Sequence, residues 1–202
     1  DRGTLLHQAR HLSRLLAPDF VLAQDLEVFR YENSLDLTGY EDGTENPQGE
    51  EALAVAFTTD AGPGLDGSSI AALQQWVHDL DRFEAMPGPE QDAVFGRRHA
   101  DNEEIDDAPE SAHVKRTAQE SFDPEAFVLR RSMPWSDCGQ SGLAFLAFGR
   151  DAQAFEAQLH RMTGQEDGIV DALFSITRPV TGDYFWCPPM VHGRPDLRAL
   201  GL

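Results

Sequence analysis

The sequence predicts an α+β fold with an antiparallel sheet and packed helices. Strand-like and helix-like segments are mixed without the regular alternation of a βαβ chain, which disfavours a doubly wound sheet. The 202 residues are 41% apolar with 12 Phe, enough to oppose disorder. A chain of this size buries roughly 70% of its unfolded surface, so a full hydrophobic core is expected. No internal repeat or low-complexity tract interrupts the pattern.

Leu5, Ala9, Leu12 and Leu16 recur at helical spacing and predict a first helix ending before Pro18. Residues 20–31 read as a strand, because Leu26 and Val28 alternate with Asp25 and Glu27. A turn-rich stretch at 39–49 leads into an apolar run at 52–57, also read as a strand, and 62–67 reads as a loop. Residues 68–77 fit either strand or helix, with strand preferred. Two short helices are expected at 79–86 and 89–95, parted by Pro87 and Gly88, with Gly96 ending the second. Residues 101–110 carry six acids and read as a solvated loop. Strands are expected at 127–131 and 142–148. Asp151 is expected to cap an amphipathic helix bearing Phe155, Leu159 and Met162, with Gly164 after its end. A short helix at 168–174 and a last strand at 184–187 complete the reading.

The 16 basic and 35 acidic residues give a formal charge of −19. Such a surface repels phosphate backbones and anionic lipid, so neither nucleic acid nor a membrane is expected as partner. The longest mainly apolar stretch, 142–148, is far shorter than the roughly 20 residues that span a bilayer. No secretory pattern opens the sequence, and Asp1 in place of Met points to residues upstream. Cys138 and Cys187 form no CxxC pair and read as reduced thiols, which favours a cytoplasmic setting.

Several motifs fail on inspection. Residues 62–67 match GxGxxG, but no helix pattern opens at the third glycine and Pro63 sits in the turn. Residues 42–47 place Pro47 where a calcium loop needs glycine. Residues 139–143 miss a nucleophile elbow by placing Leu143 at its last position. No HExxH or paired Cys/His spacing supports zinc.

Three stretches remain: Gly39-Tyr-Glu-Asp-Gly-Thr-Glu-Asn-Pro47, Ser111-Ala-His-Val-Lys-Arg116 and Val128-Leu-Arg-Arg-Ser-Met-Pro134. Singly, each reads as an ordinary turn, helix or strand. Together they supply a carboxylate, an imidazole and a guanidinium, a workable peroxidase set. An imidazole can hold heme iron, a carboxylate can move the peroxide proton, and an Arg can stabilise developing negative charge.

With these motifs the chain resembles the dye-decolorizing peroxidases, specifically the short B-type bacterial enzymes. The family's GxxDG signature matches Gly39–Gly43, its histidine segment matches 111–116, and its arginine segment matches 129–134. Further likeness runs through Trp76-Val-His-Asp-Leu80, Gly96-Arg97, Gly142-Leu-Ala-Phe145 and Pro179-Val-Thr-Gly-Asp-Tyr-Phe185. The resemblance implies a ferredoxin-like fold of the dimeric α+β barrel type, binding heme b. It implies Asp42 as the acid–base group, Arg130 as the group polarising the O–O bond, and Ser132 as a hydrogen-bond partner of distal water. His113 is implied as the axial iron ligand, with Asp171 accepting from its other ring nitrogen. Arg97 is implied as a heme-propionate partner, with Leu143 and Phe145 walling the pocket.

His78 is the competing axial histidine, which the family pattern treats as structural. Arg131 points away from Arg130 if the segment is a strand. Trp135, Trp186 and Tyr184 read either as electron relays or as structural aromatics. The implied partners are hydrogen peroxide and a small aromatic reductant. The resemblance further implies a homo-oligomer and possible packaging as encapsulin cargo. It divides the chain into residues 1–33, the last helix and strand of an N-terminal ferredoxin-like half, and 34–202, a heme-binding half. Two other readings stay open: a heme-binding or heme-handling protein with little turnover, and a heme-free interaction module.

Overall fold

The computed structural model describes residues 1–202. Helix α1 (Arg2–Leu16) precedes α2 (Gly49–Ala56), β1 (Ser69–His78), α3 (Leu80–Glu84), α4 (Gly88–Phe95) and α5 (His113–Arg116). Then come β2 (Leu129–Arg130), β3 (Met133–Asp137), β4 (Gln140–Gly149), α6 (Gln153–Met162), β5 (Thr177–Pro179) and β6 (Asp183–Cys187). A small hairpin, β7 (Met190–Val191) and β8 (Arg194–Pro195), closes the chain.

β1 and β4 form the antiparallel spine of a six-stranded sheet, from Ile70 opposite Gly149 to Val77 opposite Gly142. β5 and β6 extend the free edge of β1, while β2 and β3 pair with the other edge of β4. Every pairing is antiparallel, as the α+β expectation requires. At Gly142 a Cβ would lie 2.0 Å from the Trp76 carbonyl oxygen. Only glycine admits that approach, and the same carbonyl accepts the buried Trp135 indole N–H at 3.0 Å.

Tyr40, Phe83, Val94 and Ile176 form a buried cluster with Phe95 and Leu173 packed against it. It joins the 35–41 loop to α3, α4 and the 3-10 turn Ala172–Ser175. Gly96 ends α4 in the left-handed conformation, at φ 80°. Arg116 of α5 makes two hydrogen bonds to Asp167 and one to the Arg161 carbonyl, tying α5 to the end of α6.

Five expectations need correction, one being the short helix at 168–174, of which only the 3-10 turn Ala172–Ser175 forms, with Asp171 capping it. Residues 52–57 are not a strand but lie largely in α2, where Ala52, Ala54 and Ala56 favour helix and Glu50 and Glu51 suit its N-terminus. Residues 20–31 form no strand; a single bridge pairs Val28 with Trp135, because no other neighbour is offered. β3 was not expected, since Pro134 interrupts its pattern; it is tolerated because β3 lies at the sheet edge. Asp151 is one residue short of the cap: α6 begins at Gln153, whose N–H donates to Asp151 Oδ1 at 2.8 Å.

α1 forms as expected, yet none of its residues is buried, and Leu5, Leu12 and Leu16 face outward. Cys138 and Cys187 are free thiols. No helix is long and apolar enough to cross a membrane.

Candidate functional site

The core cluster and the sheet frame a cleft of two adjoining lobes, about 310 Å³ and about 80 Å³. Together they lie at the lower end of cofactor-site volumes, roughly 300–1,000 Å³. Asp42, His78, His113, Arg130 and Leu143 line both lobes. The smaller lobe is walled by Phe145, Phe155, Leu159 and Met162.

His113 opens α5 after the fully buried Ala112. Its Nδ1 lies 2.8 Å from Asp171 Oδ2. The Asp171 side chain has no exposed surface, and its other oxygen accepts the Leu173 N–H at 2.8 Å. One carboxylate therefore caps the 172–175 turn and orients the imidazole. With Nδ1 donating to that carboxylate, the lone pair of the neutral ring lies on Nε2. Nε2 has no hydrogen-bond partner in the protein.

His78 differs in kind. Its Nδ1 meets Thr177 Oγ1 at 2.7 Å and its Nε2 meets Asp36 Oδ1 at 3.0 Å. Both ring nitrogens are committed, so His78 offers no lone pair to a metal without breaking a buried contact. Burial opposes ionisation of Asp36, but hydrogen bonding and charge from His78, with bonds from Thr38, hold its carboxyl below the ordinary range. The structural reading of His78 holds.

Asp42 and Arg130 meet across the cleft, with Nη1 3.4 Å from Oδ1. Asp42 Oδ2 accepts no hydrogen bond. Arg130 Nε is buried with no partner. Asn46 brings the two together, a role the sequence reading missed. Its amide donates to the Arg130 carbonyl at 2.9 Å and accepts the Arg130 N–H at 2.8 Å. Asn46 thus pairs with β2 as a neighbouring strand would. Gln119 adds a second tie, donating to the Glu45 carbonyl at 3.2 Å and accepting the Val128 N–H at 3.0 Å. Nothing in the spacing of Asn46 and Arg130, 84 residues apart, announces this contact.

Arg97 lines the larger lobe, but its guanidinium already contacts Glu45 at 3.0 Å, Glu104 at 2.5 Å and the Asn102 carbonyl at 2.9 Å. A ligand carboxylate would have to share or replace these partners. Ser132 is not part of the cleft wall; its hydroxyl lies 3.4 Å from the Leu146 N–H, which donates to it. Ser132 lies in the break between β2 and β3, outside both strands. Arg131 is exposed, as strand alternation from Arg130 predicts. Trp135 is buried and bonded to backbone, a structural aromatic.

Chemically, the cleft joins an imidazole with a free nitrogen to a carboxylate–guanidinium pair beside an apolar wall. The family model described as "Dyp-type peroxidase, C-terminal" matches residues 33–192. A dye-decolorizing peroxidase of Mycolicibacterium paratuberculosis is 31% identical over 201 residues, covering 96% of this chain and 57% of that protein. One from Rhodococcus erythropolis is 32% identical over 170 residues, covering 81% and 50%. The chain spans about half the length of these curated relatives. A solved dye-decolorizing protein from V. cholerae superposes with TM-score 0.85 at 31% identity, covering 92% of this chain and 62% of its own. DyPB from Rhodococcus jostii RHA1 gives 0.83 at 29%, covering 90% and 60%. A variant of that protein, solved in complex with heme, gives 0.83 at 28%, covering 90% and 60%.

Proposed function

The chain belongs to the Dyp-type peroxidase family, and from that premise we propose that it is a heme peroxidase. In this reading it binds heme b, reduces hydrogen peroxide and oxidises dyes, phenolics or similar small aromatic reductants by one-electron steps. The observation that carries it is the cleft's donor set. His113 Nε2 is free and oriented through Asp171, while Asp42 and the partnerless Arg130 Nε lie in the same cleft. That set fits heme, which needs one neutral imidazole and a polar group for bound peroxide.

Heme, when bound, supplies the redox-active iron. His113 Nε2 would hold that iron, and the Asp171 carboxylate, accepting from Nδ1, would raise the basicity of the imidazole. Asp42 Oδ2 would accept a proton from bound peroxide and hold it for return to the departing oxygen, with heme supplying the electrons that reduce the O–O bond. Arg130 donates hydrogen bonds to the peroxide and stabilises negative charge developing on the leaving oxygen. Leu143 and Phe145 exclude bulk water from this exchange. Arg97 would hold a heme propionate by exchanging Glu45 or Glu104 for it.

The same reading assigns residues 34–202 to a heme-binding ferredoxin-like half and 1–33 to the end of a preceding one. The start of the family match at residue 33 and the unburied α1 support that division. A cytoplasmic homo-oligomer, with encapsulin packaging, belongs to the same proposal. Titration with hemin followed by peroxide tests the function. A Soret band that responds to stoichiometric peroxide, with a phenolic reductant then consumed, supports a peroxidase. Binding without a peroxide response supports the heme-handling alternative.

A further inference from the structure

Tyr40 lies in the cleft wall two residues before Asp42, and it is the only tyrosine there. Its ring is buried, stacked on Phe95 with centroids 4.0 Å apart, and it meets Phe83 and His99 edge-on. Its hydroxyl donates to Asp92 Oδ1 at 2.5 Å, and the same oxygen accepts the His99 N–H at 2.9 Å. Asp92 is half-buried and His99 exposed, so the carboxylate links the phenol to the surface. A phenylalanine would fill the same stack without desolvating a hydroxyl and a carboxylate. Burial, then the Asp92 bond and charge, keep the phenol protonated far above its ordinary range. A protonated phenol with a carboxylate already in place is the starting arrangement for proton-coupled oxidation.

We propose that Tyr40 is a redox-active tyrosine that gives single electrons to the cofactor of the cleft and its proton to Asp92. The inference rests on the heme-peroxidase reading. The Tyr40 O–H bond breaks, one electron passes to heme that peroxide has oxidised, and the proton passes to the Asp92 carboxylate. Heme is reduced by one electron and Tyr40 oxidised by one, leaving a neutral phenoxyl radical beside a neutral carboxylic acid. Moving the proton with the electron avoids a buried phenol cation. A one-electron aromatic reductant then restores the phenol, the proton returning from Asp92. The reductant need not enter the cleft, because Tyr40 reaches towards the exposed His99 edge.

Tyr31, Tyr40 and Tyr184 are the three tyrosines of the chain, which makes the assignment tractable. The heme-loaded protein is mixed with hydrogen peroxide, freeze-quenched and examined by electron paramagnetic resonance. A tyrosyl radical is expected in the wild type and in the Tyr31→Phe/Tyr184→Phe double variant. It is expected to be lost in Tyr40→Phe and reduced in Asp92→Asn, each with the Soret band of the wild type before peroxide. A radical that survives Tyr40→Phe, or vanishes in the double variant, overturns the proposal. Undiminished radical in Asp92→Asn overturns the proton-acceptor role. Should Tyr40→Phe not fold, the double variant decides alone, since Tyr40 is then its sole tyrosine. Heme that does not respond to peroxide overturns the functional reading and this inference together. A normal response without a Tyr40 radical overturns this inference alone.

Discussion

The Asp171 carboxylate divides its two oxygens between the His113 imidazole and the Leu173 amide, each at 2.8 Å. The turn after α6 and the helix bearing His113 are therefore set by one fully buried side chain. A histidine on a four-residue helix gains a fixed ring plane without being buried itself.

Asp171→Asn should preserve shape while removing the anionic partner of His113. Partners of this kind are worth roughly 10–100-fold in metal affinity or activity. Hemin titration should show a loss of that size, and an unchanged affinity would mean that Asp171 serves only the turn.

Asn46→Ala should release the backbone of Arg130 from both of its side-chain hydrogen bonds. Leaving these groups unpaired costs about 1–3 kcal/mol, read by urea denaturation. Stopped-flow mixing should show a slower peroxide reaction than wild type, because the guanidinium is no longer held against Asp42.

Gly142→Ala places a Cβ against the Trp76 carbonyl oxygen, a backbone atom that cannot swing aside. The β1–β4 pairing or the Trp135 indole bond must give, at about 3 kcal/mol or more. A melting temperature within a degree or two of wild type would show that the sheet relaxes freely there.

Asp36 and Asp167 carry carboxyls held below the ordinary carboxylate range, Asp36 by His78 and Thr38 against its burial, Asp167 chiefly by Arg116. A depressed carboxylate contributes stability that is complete above its unfolded pKa and lost as pH falls through the folded one. Stability should therefore hold down to about pH 4 and drop below it. Denaturation midpoints measured between pH 6 and pH 3 should show a smaller drop in Asp167→Asn, which has no proton to bind there. An equal drop would remove Asp167 from the account.

Part of the geometry was legible in the sequence because its groups are chemically distinctive and lie in short motifs: Asp42 pairs with Arg130 and His113 with Asp171, and Asp42, His113 and Arg130 line one cleft. What the sequence did not reveal depends on long-range approach. Asn46 looks like a turn residue until β2 folds beside it. Tyr40 looks like an aromatic of the core until Asp92 arrives from α4. The 52–57 run misled because an apolar stretch alone does not separate helix from strand, and alanines decided it. Ser132 misled because a motif fixes position along the chain, not the break between β2 and β3 that turns its hydroxyl to the Leu146 N–H.

The central claim is that His113, and not His78, holds heme. Absorption titration with hemin of the wild type, His113→Ala and His78→Ala tests it most directly. The account predicts a one-to-one Soret band in the wild type and in folded His78→Ala, and its loss in His113→Ala. A Soret band of wild-type position and affinity in His113→Ala would contradict it.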